Sequence, residues 1–519
     1  MKKCILFAVF LCFSVPVYSV EYFVDIISGN NTSAGTATNT AWKHLPGTVG
    51  QTGSGWVSPG NGDTVWVRGD YTNNVQVLVN SDNYTANAAY DSILIKSGHL
   101  RSPAWGTGRA IYDGEDTRTY GFWVGGSSVI IKGVTVEGFE VRNIAAGGIG
   151  VGFDPNSGSC GIAVGGSPYE ADYITVRNCY IHDCARSIDD TGHGIETAGA
   201  SSELLYENNH IGPNIGTKGI ETTINCTEFR VRNNYIEDYQ DHGIAIAGKF
   251  GDVYNNLVRS HPPFVHQPNY GIKCDDGQFI DVWNNVIFRS QTTPTIEADA
   301  IRNQDAAHSN RWFHNTVWDF DSGANGGSYT PVGLGDSNDT FKDVFFENNI
   351  LNLIETGGSN GVEQIYVHDT LTNLTVNFNN FFHTSASDFV VIYGLSPSVY
   401  YTSAGFNAAS LGSGYVVSNN TQVAPNFVGG ILPSGLDENF QPNTSYFKLT
   451  ESTSSLIKNT GNSKTGNATH GYSSSSSKFD LDIVGTTRTQ WSMGAYEYAT
   501  NVWPVVQDSP PNRIWIGIE

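Results

Sequence analysis

Methionine is nearly absent, with two residues in 519, and cysteine is scarce at seven. No two cysteines stand in a CxxC pair, so no zinc ribbon or thioredoxin-type redox motif is signalled. Removing the first 19 residues leaves five: Cys160, Cys179, Cys184, Cys226 and Cys274. Five is odd, and a disulfide framework is not indicated. Basic residues are few, 28 Lys and Arg against 50 Asp and Glu, for a net charge of -22. Such a surface repels phosphate backbones, which argues against a nucleic-acid partner. After the first residues no apolar run is long enough to span a bilayer, so no membrane insertion is expected. Long apolar stripes at helical spacing are missing too. Glycine, by contrast, reaches 58 residues. Apolar residues at 39% and aromatics at 12% can still build a core, which excludes a disordered chain.

Lys2 and Lys3, the apolar Ile5 to Val17, and the small-residue end Val17-Tyr18-Ser19 read as a secretory signal over 1–19. The expected organisation is that signal, one solenoid over 20–500, and a tail over 501–519. The expected location is extracellular or periplasmic, and the expected state is a monomer.

What is abundant is a repeat. Eight segments place an apolar or aromatic position shortly before Asn, as in Tyr206-Glu207-Asn208-Asn209, Val231-Arg232-Asn233-Asn234 and Val282-Trp283-Asn284-Asn285. Their marker Asn falls at 178, 208, 233, 255, 284, 315, 348 and 379, in steps of 22 to 33 residues. Short strands with a turn residue at a fixed place in each period signal a β-solenoid. Asn tolerates the left-handed conformation at a tight bend. Stacked Asn side chains can also hydrogen-bond along the axis. Asn208, Asn233, Asn255 and Asn284 are therefore expected to form one ladder. Cys179 takes the place of the second Asn in its coil.

The segment Pro59-Gly60-Asn61-Gly62-Asp63-Thr64-Val65-Trp66-Val67-Arg68 resembles the entry strand of secreted right-handed β-helix proteins. The closing series Phe447-Lys448-Leu449, Arg488 and Met493-Gly494-Ala495-Tyr496-Glu497-Tyr498 resembles the end of secreted β-helix carbohydrate-active enzymes. The resemblance implies an all-β, right-handed, single-stranded parallel β-helix that acts on a polysaccharide.

A second column follows the Asn bends. It reads Gly148-Ile149-Gly150, His193-Gly194-Ile195-Glu196, Lys218-Gly219-Ile220-Glu221, His242-Gly243-Ile244-Ala245, Tyr270-Gly271-Ile272-Lys273 and Asp299-Ala300-Ile301-Arg302. Side chains alternate along a strand. With Ile pointing inward, the residue after it points outward, and these residues, Gly150, Glu196, Glu221, Ala245, Lys273 and Arg302, stack about 4.8 Å apart between coils. Asp275, Asp276 and Asp305 follow on the same strands. Ionisable residues recurring at one register suggest a site.

Elimination from an acidic glycan needs its carboxylate neutralised, a base for the proton α to it, and a proton donor for the leaving oxygen. Glu196 and Glu221, with Asp275 or Asp276, are expected to hold Ca²⁺, a cation that prefers oxygen ligands. Lys273 is the expected base, and Arg302, His242 or Tyr270 handles charge and proton delivery. Lys218, Trp283 and Trp312 are candidates for substrate contact. The arrangement is similar to that of the chondroitinase-B and alginate-lyase group of β-helix lyases. A glycoside hydrolase using Glu196, Glu221 and Asp299, with His193 or His242 assisting, is the alternative. His242-Gly243-Ile244-Ala245-Ile246-Ala247-Gly248 resembles a polygalacturonase stretch, but that family's Asp motifs are missing. A non-catalytic glycan-binding or adhesin-like wall is the third reading.

Overall fold

The computed structural model describes most of residues 19–495. Its larger breaks fall at 145–158, 185–191, 261–268, 290–297, 319–330, 336–342, 354–364, 384–389, 394–398, 430–444 and 462–478. The expected signal sequence (but for Ser19), the expected 501–519 tail, Gly148-Ile149-Gly150, Asp305, the proline-rich 261–268 segment and the 473–477 serine tract lie outside the described residues.

Three sheets of 15, 11 and 12 strands run along the described chain. Within each, a strand pairs with its counterpart one coil away, and the pairing is parallel. The exception is an antiparallel pair between Val390–Tyr393 and Val399–Tyr401. The chain is thus a parallel β-helix. Its wall begins at Glu21–Asp25, which pairs with the expected entry strand Asp63–Arg68. In the largest sheet it ends at Tyr415–Ser418. Val176, Val231, Val253, Val282, Phe346 and Val376 fill the interior from that sheet. Ile195, Ile220, Ile244, Ile272 and Ile301 fill it from the 12-stranded sheet, each fully buried as the alternation requires. Among the described residues no helix is long and apolar enough to cross a membrane.

The Asn repeat divides its work between two positions. Asn208, Asn233, Asn255 and Asn284 adopt the left-handed conformation, with φ of 55° to 56°. They turn the chain, but the hydrogen-bonded ladder belongs to the residue after each. Asn209, Asn234, Asn256, Asn285, Asn315, Asn349, Asn379 and Asn420 are all buried. Each Nδ2 from Asn209 to Asn379 donates to the Oδ1 of the next, at 3.0 to 3.1 Å. Cys179 starts the column by donating its backbone N–H to Asn209. In two coils His314 and Phe378 take the left-handed place, so Asn315 and Asn379 belong to the buried ladder and not to the bend. The expected ladder was displaced by one residue because the sequence alone does not separate bend from core.

Glycine marks the 12-stranded sheet for a steric reason. A Cβ at Gly194, Gly219, Gly243 or Gly271 would meet Cγ of Ile211, Ile236, Val258 or Ile287 at 2.3 to 2.5 Å. The β-branched residue of the neighbouring sheet occupies the corner, and only a hydrogen fits beside it.

The closing segment returns along the outside of the coils. Arg488, buried, donates to Asn284 Oδ1 at 2.8 Å and to the carbonyls of Gly494 and Ala495. Phe479 packs edge-on against Trp283 and Phe313. The resemblance at Arg488 and Gly494-Ala495 therefore corresponds to a strap clipped onto the repeat.

One corner buries a carboxyl that Arg259 compensates only in part. Burial, helped by Glu237, raises the Asp238 carboxyl to about 6 from 3.8, and its Oδ1 has no hydrogen bond. The folded state therefore holds a proton that the unfolded chain releases earlier. Stability falls as pH rises from about 4 to about 6, and the penalty persists above that. Asp238 is also left-handed, φ 51°, which Asn accepts. Asp238→Asn is expected to raise stability at neutral pH by about 1–2 kcal/mol and to flatten that fall. Urea denaturation at both ends of the window checks it; equal stability of the two proteins at neutral pH would refute it.

Candidate active site

Five strands of the 12-stranded sheet bring the ionisable column together: Gly192–Ala198, Lys218–Thr222, His242–Ile246, Asn269–Asp275 and Ala298–Gln304. Register pairs His193 with Lys218, Lys218 with His242, His242 with Tyr270, and Tyr270 with Asp299. The second column pairs Glu196 with Glu221, Glu221 with Ala245, Ala245 with Lys273, and Lys273 with Arg302. The sequence-derived columns are reproduced from His193 to Arg302. Below them the expected Gly150 is replaced. Cys160 pairs with His193 and Ala163 with Glu196, through Cys160-Gly161-Ile162-Ala163. That tetrapeptide has the same x-Gly-Ile-x form, which was the overlooked signal.

The lower end is a closed ion cluster. His193 Nδ1 lies 3.3 Å from Glu196 Oε2 and 3.2 Å from Glu221 Oε2. Lys218 Nζ holds the other Glu221 oxygen at 2.5 Å. His193 and Glu196 are 5% and 3% exposed. Burial pulls the His193 imidazole down, but Glu196 and Glu221 outweigh it and leave its pKa above the usual histidine value. Burial pushes Glu221 up, and His193 and Lys218 outweigh that, leaving it below the carboxylate range.

The middle is different. His242 Nδ1 lies 2.6 Å from the Asp241 carboxylate, and Nε2 has no hydrogen bond. Burial lowers the His242 pKa, and the charges of Lys273 and Lys218 add to it against Asp241. His242 is therefore the neutral imidazole of the column at pH 7. Its ring stacks on Tyr270 at 5.0 Å. Lys273 Nζ lies over the other residue of that stack, 5.0 Å from the Tyr270 centroid, and meets Asp275 at 2.8 Å. At the upper end Arg302 touches Asp299 at 3.2 Å and Gln304 at 2.9 Å. Its guanidinium lies across Gly333 of the next coil, where a Cβ would come within 2.6 Å of Nη1. Asp241 is a contributor that the column pattern missed, because it precedes the repeated tetrapeptide.

Three expectations fail geometrically. Trp312 points into the core of the 15-stranded sheet and is fully buried. Trp283 lies on the outside of that same sheet, stacked on Tyr254 and covered by Phe479. Neither lines the ionisable wall, because both belong to strands around the corner. Asp275 and Asp276 do not join Glu196 and Glu221. Asp275 is on a coil two steps away and pairs with Lys273, and Asp276 turns the chain at φ 55°.

A family described as a right-handed beta helix region matches residues 107–287. No curated protein matches the chain. Among solved structures, pectate lyase Pel9A aligns with 93% of this chain and 98% of its own, at 15% identity and a TM-score of 0.51. The GH136 lacto-N-biosidase from Eubacterium ramulus aligns with 78% of this chain and 67% of its own, at 13% identity and TM-score 0.43. DFA-IIIase from Arthrobacter chlorophenolicus A6, in complex with GF2, aligns with 69% and 87%, at 15% identity and TM-score 0.42. With the parallel sheets described above, the match to the right-handed beta helix region and the likeness to Pel9A identify the fold as a right-handed parallel β-helix.

Proposed function

We propose that this protein is a secreted lyase that cleaves an acidic polysaccharide by β-elimination on the His242–Arg302 wall. The observation that carries this reading is one neutral histidine flanked on a rigid surface by Tyr270 and two cations, Lys273 and Arg302. Lys273 and Arg302 stand on adjacent coils, about 4.8 Å apart along the axis. They are placed to neutralise a uronate carboxylate, which acidifies the proton α to it. Lys273 Nζ is engaged by the Asp275 carboxylate at 2.8 Å, whereas His242 Nε2 has no hydrogen bond, so the base is better assigned to His242 than to Lys273. Asp241 orients its Nδ1 and leaves Nε2 to accept the proton. Tyr270, stacked beside it, is the donor to the leaving oxygen. The likeness to a pectate lyase is one of fold and names no substrate for this chain.

Two-carboxylate hydrolysis suits the geometry less well. A retaining pair stands about 5–5.5 Å apart and an inverting pair about 6.5–9.5 Å, with the sugar between them. Glu196 and Glu221 have His193 wedged between them. Glu221 and Asp299 are three coils apart, about 14 Å along the axis.

The test is digestion of a panel of acidic polysaccharides, followed by ultraviolet absorbance. Elimination leaves a conjugated unsaturated uronate, and absorbance should rise with each cleavage. New reducing ends without absorbance would replace this reading with hydrolysis.

A further inference from the structure

The cluster below the proposed catalytic groups has the form of a metal site, and it differs from the oxygen-only site expected from the sequence. His193, Glu196 and Glu221 each offer one donor atom, and the three atoms lie within 4.8 Å of one another. His193 Nδ1 is 3.3 Å from Glu196 Oε2 and 3.2 Å from Glu221 Oε2. Ligands bound to Zn²⁺ at about 2.0–2.1 Å in a tetrahedron are separated by about 3.3–3.4 Å. The spacing already present is that of an edge of such a tetrahedron.

A second observation concerns burial and hydrogen bonding. His193 Nδ1 and Glu196 Oε2 are both buried, and they meet only as ion-pair contacts within the cluster, without aligned hydrogen bonds. Buried polar atoms rarely go without a hydrogen bond. His193 Nδ1 also meets Glu221 Oε2 at 3.2 Å, and the donor atoms of all three residues lie within 4.8 Å of one another. The outer contacts fit as well. Lys218 takes Glu221 Oε1 at 2.5 Å and so leaves Oε2 turned to the cluster, which is how second-layer groups fix a carboxylate ligand.

We propose that His193 Nδ1, Glu196 Oε2 and Glu221 Oε2 bind one divalent transition-metal ion of the Zn²⁺ or Mn²⁺ class. Imidazole nitrogen suits Zn²⁺ and the two carboxylates suit Mn²⁺ as well, whereas Ca²⁺ takes oxygen. Asp275 and Asp276 take no part. Three protein ligands leave a further coordination position open. The ion would pin two consecutive coils immediately below His242.

The test uses the full chain, stripped with a chelator, and needs no substrate, so it stands apart from the lyase assay. Zn²⁺, Mn²⁺ and Ca²⁺ are titrated separately by calorimetry into the wild type, His193→Gln and Glu196→Gln, with circular dichroism to check folding. The expected result is one Zn²⁺ or Mn²⁺ per chain, bound at least 10-fold more weakly by each variant and more tightly than Ca²⁺ by the wild type. If the variants fail to fold, Co²⁺ added to the wild type decides. Visible absorption from a four- or five-coordinate ion is expected, and its absence refutes the site. No binding of either transition metal, or binding indifferent to both substitutions, overturns the proposal. So does Ca²⁺ binding more tightly than Zn²⁺ and Mn²⁺ and surviving His193→Gln.

Discussion

His242→Ala is expected to lower kcat by about a thousandfold, the usual scale for removing a positioned general base, without unfolding the protein. His242 lies outside the solenoid interior, so its loss opens no cavity in the stacked Ile244 core. Its pKa is lowered by burial and by Lys273 and Lys218. The acid limb of the wild-type pH profile should therefore fall below the ordinary histidine value of 6.5. Lys273 is given a charge-bearing role, which separates it from a base. Lys273→Arg keeps the cation and should retain measurable turnover. Lys273→Ala should lose most activity and move the acid limb to higher pH, since one of the charges depressing His242 is gone. Steady-state pH profiles of the four proteins check all of this. If Lys273→Arg is as dead as Lys273→Ala while His242→Ala stays active, Lys273 is the base and the assignment above is wrong.

The second large effect concerns the fold. Asn234 donates to Asn256 Oδ1 and to the Tyr206 carbonyl, and accepts from the backbone and the side chain of Asn209. Asn234→Leu strands several of these buried partners at once. At roughly 1–3 kcal/mol for each orphaned group, a loss of about 4 kcal/mol or more is expected. Asn233→Leu, one residue earlier, pays for a left-handed backbone without Asn, about 1–2 kcal/mol. Chemical denaturation of the two variants ranks them. Equal losses would mean that the ladder and the bend do not divide as described.

How much of this was legible in the sequence follows from what repeats. The Ile of the x-Gly-Ile-x tetrapeptide recurs at one register, so alternation placed the residue after it, the Glu196–Arg302 column, outward. The His193–Asp299 column stands two residues before the Ile and joins that face because the intervening residue, glycine from Gly194 to Gly271, turns toward the neighbouring sheet. The Asn pairs gave the period but not the division of labour, because one residue type serves both bend and ladder. His314 and Phe378 hold the bend without Asn, which hid the register of their coils. Which residues join Glu196 and Glu221 was hidden for a different reason. Charge suggested Asp275 and Asp276, but coil spacing puts them two steps from Glu221, while His193 stands beside both glutamates. Trp283 and Trp312 fit both a sugar contact and a stack in the coil core; only the third dimension shows one inside the core and the other beneath the closing strap. Asp241 carries no repeat signature and becomes visible through its contact with His242.

The central claim is elimination, and solvent isotope labelling tests it directly. An acidic polysaccharide that the protein cleaves is digested in heavy-oxygen water, and the new ends are read by mass spectrometry. Elimination breaks the bond without water, so the account predicts unsaturated ends that carry no solvent oxygen. One heavy oxygen incorporated per cleavage, on saturated ends, would contradict it.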